Sequence, residues 1–131
     1  MDKRLPRYFN CPSEFAMEIL GGKWKTVILC FVKEGPCRYR EIRRLAPTLS
    51  DKMLTQRLRD LQNAGLITRR KSGAGGTNDV YALTERGESL QQILSALYSW
   101  GRQHADEFGV TIGNPLALLD PVRPQVRAAA N

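Results

Sequence analysis

The sequence predicts an α+β fold, mainly α: two helices joined by a short turn, then a hairpin, then a long helix. Three observations lead there. The stretch Ser50 to Ile67 reads as one amphipathic helix that starts at Ser50 and is ended by Gly65. Val80-Tyr81-Ala82-Leu83 follows a glycine-rich stretch and reads as a return strand. The charge excess lies across these same elements. The 131 residues carry a net +7, and the window from Arg38 to Lys71 alone holds ten Lys or Arg against three acids, so the rest is neutral. A charge that served only solubility would be spread more evenly, and this placement favours a surface for a polyanion.

In chain order, residues 1–10 form a flexible basic arm with Lys3, Arg4 and Arg7. A short helix is expected from Pro12, a residue suited to the first helical position, to Leu20. Phe15, Ala16, Ile19 and Leu20 give it an apolar side, and Gly21-Gly22 breaks it. A second helix runs from about Lys23 to Lys33, with Trp24, Val27, Ile28 and Phe31 recurring at core spacing. Gly35-Pro36 ends it. Cys37-Arg38-Tyr39 is a small strand. A third helix, Tyr39 to Leu45, puts Ile42 and Leu45 inward and Arg40, Arg43 and Arg44 outward, and Pro47 stops it.

The central helix comes next. Ser50 can accept from the free N–H groups of the first turn. Asp51 sets negative charge at the positive end of the macrodipole. Gly65 takes the left-handed cap at little cost. At about 100° per residue, Leu54, Leu58 and Leu61 share a stripe with Met53 at its edge. Lys52, Thr55, Gln56 and Arg59 lie opposite. These side chains suit phosphates and base edges in a major groove. A plain solvated face has a similar composition, so the surrounding charge carries the inference.

Two helices with a short turn, the second polar outside, form a helix-turn-helix. Leu66 to Lys71 then reads as a strand that leaves the core and turns basic, and Ser72 to Asn78 as a loop. A basic hairpin after such a pair is a wing, so residues 11–108 are expected to form a winged helix-turn-helix domain. Arg69, Arg70 and Lys71 would meet phosphates or the adjacent minor groove. The competing reading is an edge hairpin whose charges block aggregation.

Thr84 offers an N-cap for a long helix to about Phe108. Leu90, Ile93, Leu94, Leu97, Gly101, His104 and Phe108 form a stripe longer than a small domain needs. The surplus reads as a dimer seam; cover by the first helix and the tail is the other reading. Residues 109–131, with three prolines, are an irregular tail.

Other classes find little footing. One His and three Cys at 11, 30 and 37 give no metal spacing, and no catalytic constellation emerges. No cofactor is expected: Gly73 to Gly76 lacks the following Lys-Ser/Thr of a phosphate loop. No apolar run approaches the ~20 residues of a bilayer span, and no signal-peptide core is visible. A reducing cytoplasm, with no membrane partner, is the expected setting. Cys30, amid an apolar helix, reads as a buried small hydrophobe.

Cys11-Pro12, Gly21-Gly22-Lys23-Trp24, Gly35-Pro36, Arg38-Tyr39, Glu41-Ile42, Lys52-Met53-Leu54-Thr55, Leu58-Arg59, Gly65-Leu66 and Tyr81-Ala82-Leu83-Thr84 occur in one consistent order. Together they resemble the HxlR-type winged-helix transcriptional regulators, relatives of the MarR group, over about residues 11 to 101. Gly-Gly-Lys-Trp with Lys-Met-Leu-Thr at this separation is the specific part. The resemblance implies a homodimeric regulator, repressor or activator, on a pseudo-palindromic operator in double-stranded DNA. The helix at 50–64 would enter the major groove, and the first and last helices would build the dimer. Expected DNA contacts are Ser50, Lys52, Thr55, Gln56 and Arg59 on that helix, Arg38 and Arg40 before it, and Arg69, Arg70 and Lys71 on the wing.

The wing departs from the family's habit. Its tip is Gly-rich rather than Pro-containing, and Asp79-Val80 inverts the usual apolar–acidic order. Cys11 stands where several members carry a redox-sensing cysteine. A thiol just ahead of a helix, among basic residues, can have a lowered pKa, which would make a small electrophile or oxidant the effector; the competing reading is a Cys-Pro that family members also carry without sensing. Cys37 is open between roles, one being a partner thiol for Cys11 of a second subunit. The second function class is a winged-helix protein-interaction module that never touches DNA, against which the basic window speaks.

Overall fold

The computed structural model describes residues 5–73, 78–113 and 115. In chain order these form α1 (Pro12–Leu20), α2 (Lys25–Lys33), β1 (Cys37–Arg38), α3 (Tyr39–Leu45), α4 (Asp51–Asn63), β2 (Ile67–Arg70), β3 (Val80–Leu83), α5 (Glu85–Glu88) and α6 (Gln91–His104). A 3₁₀ turn, Ala105–Phe108, closes the series.

The core is built around α2, which packs against α4, α6 and β3. Ile28, Leu29, Phe31 and Val32 of α2 are buried with Ile42 and Leu45 of α3 and Leu94 of α6. The stripe expected on α4 is the part that goes inside: Leu54, Leu58 and Leu61 are at most 1% exposed. Each such side chain contributes about 1.5–3 kcal/mol relative to exposure.

The ends of α4 follow from its own residues. The Ser50 hydroxyl accepts from the Met53 N–H at 3.1 Å. At the other end Gly65 has φ +74°. Its N–H donates to the Gln62 carbonyl at 2.9 Å, and that of Leu66 to the Leu61 carbonyl at 3.0 Å. This is the Schellman pattern, with apolar Leu61 and Leu66 in the positions that accompany it.

The sheet is antiparallel in the order β1-β3-β2. Its register sets Cys37, Tyr81 and Arg69 in one row and Arg38, Val80 and Arg70 in the next. Side chains alternate between faces along a strand. The first row shares its face with buried Ile67 and turns toward the core; the second faces outward.

Three expectations need correction. Helix α2 starts at Lys25 rather than Lys23, because Gly22 turns at φ +97° and the Lys25 ammonium donates back to the Ile19 carbonyl at 3.0 Å. The long last helix is in three pieces: α5, a turn at Ser89-Leu90, and α6 with its 3₁₀ end. There the Ser89 hydroxyl donates to the Arg86 carbonyl, a local bond that competes with the helical ladder. Cys30 is part-buried beside the core rather than within it.

Of the basic arm, Lys3 and Arg4 lie outside the described residues. Nearer the domain the arm is fastened: the Phe9 and Phe15 rings sit 5.4 Å apart, and the Asn10 N–H donates to Glu14 at 2.7 Å. Leu116, Leu118 and Leu119 of the tail also lie outside the described residues. Those from Gly109 to Gly113 are irregular.

Candidate nucleic-acid interface

Helix α4 is held at both ends by side chains from other elements. At its N-terminus the Arg43 guanidinium pairs with Asp51 at 2.8 Å and donates to the Leu49 carbonyl in the turn between the helices. The Tyr39 hydroxyl donates to the same Asp51 carboxylate at 2.9 Å. Burial raises the Tyr39 pKa, so this hydroxyl keeps its proton. Arg43 therefore does not point outward as expected; it braces the turn.

At the C-terminus, Arg86 donates to the Ala64 carbonyl at 2.8 Å and the Thr84 hydroxyl to the Gly65 carbonyl at 2.6 Å. A cation on the last carbonyls also complements the dipole. Gly87 permits the approach of α5, since a Cβ there would lie 2.1 Å from the Leu66 carbonyl oxygen.

So fixed, α4 shows solvent a polar face. Lys52, Thr55, Gln56 and Arg59 are all exposed. Among the described residues, Lys52 and Arg59 have no hydrogen bond or ion pair. The Gln56 amide donates to Asp60 within the helix at 2.9 Å, which leaves its carbonyl oxygen outward. Thr55 lies 3.5 Å from the Tyr39 hydroxyl. Ser50 is committed as the cap acceptor, and its hydroxyl proton remains available for donation.

The wing divides its cations. Arg70 shares the outer face of the sheet with Arg38, on either side of Val80. With Arg40, Ser72 and Asn78 they line an open cleft of about 420 Å³. Arg69 lies on the inner face instead, and its Nε meets buried Asp79 at 2.8 Å. Asp79 also accepts from the Ser72 N–H at 3.1 Å. That bond, with Arg69 beside it, holds the Asp79 carboxyl below the ordinary carboxylate range. Lys71 is exposed beyond the strand end. The basic rim is thus one braced arginine and two outward cations.

Tyr39, Asp79, Thr84 and Arg86 support the interface without a signal in the sequence. Their partners lie on other elements, so helical or strand periodicity carries no signal for them. Strand alternation puts Arg69 and Arg70 on opposite faces, a difference that grouping Arg69, Arg70 and Lys71 as one basic rim passes over.

Cys11 is exposed and occupies the N-cap position of α1 with extended backbone. Its Sγ is 3.0 Å from the Ser13 hydroxyl. Hydrogen bonds from the Ser13 side chain and backbone lower its pKa. Burial raises that of Cys30. Cys37 is 0% exposed, with its thiol 3.6 Å from the carbonyl oxygens of Phe31 and Gly35. This corrects the idea of Cys37 as a partner thiol, because a second subunit cannot reach it while the core is closed.

A basic, externally presented second helix beside a three-stranded wing defines the winged helix-turn-helix class of transcriptional regulators. Comparison with known proteins narrows the class. The HxlR-like helix-turn-helix family matches residues 19–108. The HTH-type transcriptional regulator YkvN of Bacillus subtilis is 40% identical over 99 residues, covering 76% of this chain and 84% of that protein. Two solved structures are similar. The redox regulator HypR in its reduced form has TM-score 0.70 at 33% identity, over 75% of this chain and 97% of that one. Quinone-bound YodB from B. subtilis has TM-score 0.59 at 33% identity, over 71% and 98%. The chain belongs to the HxlR-like helix-turn-helix family and is a transcriptional regulator of that type.

Proposed function

We propose that the protein works in the cytoplasm as a homodimer on a pseudo-palindromic operator, with α4 in the major groove and the wing along the backbone. One observation carries this: the polar face of α4 is outward and rigidly mounted, beside a cleft lined by Arg38, Arg40 and Arg70. Lys52, Thr55, Gln56 and Arg59 face base edges and flanking phosphates, and Ser50 donates at the helix start. Arg70 and Lys71 meet backbone phosphates, while Arg69 holds the hairpin through Asp79.

The dimer reading is supported by apolar surface that the monomer leaves open. Ile93, Leu97, Trp100 and Phe108 are 47–66% exposed along α6 and its end, and Phe15 and Met17 of α1 are 46% and 61% exposed. An effector reading is supported by Cys11, an exposed thiol with a lowered pKa. Its thiolate would add to an electrophilic carbon, as a quinone offers, or be oxidised by a small oxidant. HypR is described as a redox regulator and YodB has a quinone-bound structure.

The test is affinity for the DNA upstream of the gene against random duplex at about 150 mM salt, with a footprint of the bound region. The reading expects tighter upstream binding by ~10³-fold or more. It also expects two protected half-sites ~34 Å, or a multiple, apart. Equal affinity for both duplexes would reject specific regulation, and no affinity for either would favour a protein-interaction module.

A further inference from the structure

The outer face of the sheet gathers positive charge, and the nearby carboxylate on α3, Glu41, accepts from the Arg38 N–H at 2.9 Å. Arg38 on β1 and Arg70 on β2 occupy one row with only Val80 between them, two strand spacings or about 10 Å apart. Arg40 of α3 opens onto the same cleft, whose remaining lining among the described residues is Ser72, Asn78 and Val80. None of these is acidic. The nearest carboxylate on the hairpin, Asp79, is on the other face and already engaged by Arg69 and Ser72. All three arginine side chains are exposed, with no ion pair among the described residues.

Guanidinium groups stay charged at any working pH, and their forked donors match phosphate oxygens. Like charges held close on one sheet face repel, so the arrangement is destabilising until an anion enters. All three side chains line the same cleft, so one anion entering it has three guanidinium groups to draw on.

We propose that Arg38, Arg40 and Arg70 grip one and the same backbone phosphate of the bound duplex, so that α3 and the wing are tied to DNA at a shared point. The inference rests on the DNA-binding reading above. It adds that these arginines act as one contact, with Val80 as its apolar floor.

A double-mutant cycle on the full-length protein tests it, using Arg38→Gln, Arg70→Gln and both together against the upstream duplex. Each single change is expected to weaken binding roughly tenfold, the worth of one charge-assisted hydrogen bond. The double variant is expected to lose little beyond that, with strong coupling between the two positions. Its salt dependence should fall by ~0.9, one phosphate, and not by ~1.8. Unchanged thermal midpoints would keep folding out of the comparison.

Losses that multiply to roughly a hundredfold, with the slope reduced by ~1.8, would mean two separate phosphates and overturn the clamp while leaving DNA binding intact. A wild-type protein that binds no duplex would overturn both. Calorimetry with inorganic phosphate separates the remaining source: saturable binding that vanishes in the double variant yet is undiminished when the duplex is already bound would make this a site for a free anion, and would also overturn the assignment.

Discussion

Arg43 and Asp51 meet at 2.8 Å across the turn that joins the third and fourth helices. The pair explains why one cation in a strongly basic stretch is not displayed to solvent. Asp51 alone would set an acidic charge at the leading end of α4, against any approaching phosphate; Arg43 offsets it and fixes the helix direction. The pair is partly exposed, so its Coulomb energy is modest. The bonds from Arg43 to the turn carbonyls add to it. Arg43→Ala is therefore expected to lower stability by about 1–2 kcal/mol. Arg40→Ala should stay within about 0.5. Urea unfolding of both variants checks this, and equal losses would count against the brace.

Gly87 sets the distance between α5 and the strand that follows α4. A Cβ there would stand 2.1 Å from the Leu66 carbonyl oxygen and 3.0 Å from the Leu83 side chain. That carbonyl also accepts from Thr84 N–H at 3.0 Å. Backbone must move to admit a methyl, at a cost of about 1–3 kcal/mol. Gly87→Ala should show a clearly lower thermal midpoint, and an unchanged one would refute the close approach.

The start, stop and buried stripe of α4 were legible because Ser50, Gly65 and Leu54, Leu58 and Leu61 act within their own helix. Helical periodicity turns Arg43 outward, whereas its partner, Asp51, begins the next helix. The burial of Cys37 depends on pairing with Tyr81, a register that a two-residue strand does not encode. The division of Arg69 from Arg70 was readable from strand alternation, but charge counting treated the rim as one group. The break at Ser89-Leu90 interrupts an apolar pattern that runs on smoothly through it. Lys52, Thr55, Gln56 and Arg59 lie on the expected, exposed side of the helix.

Asp79 makes the wing sensitive to acid. Its folded pKa lies below the ordinary value, so its stabilising effect is full above the unfolded Asp value of about 3.9 and is lost as pH falls through the lower folded value. Asp79→Asn removes the ion pair with Arg69 at every pH. The gap in thermal midpoint between wild type and this variant should be widest near about pH 6 and close toward about pH 2. A gap independent of pH would show that the Asp79 charge does not hold the hairpin.

The three cysteines should separate by reactivity. Iodoacetamide at neutral pH is expected to label Cys11 first, Cys30 slowly and Cys37 only on unfolding, read by peptide mapping. Ser13→Ala should slow the Cys11 reaction, because the hydrogen bond that favours its thiolate is gone. Early labelling of Cys37 would contradict the closed core around it.

The account depends most on the outward face of α4 reading sequence. The most direct measurement is the affinity of the wild type and Arg59→Ala for the upstream duplex and for random DNA, in the same buffer. The prediction is a loss of about 1–3 kcal/mol on the upstream duplex with a much smaller change on random DNA. The same loss on both, or none on either, would contradict it.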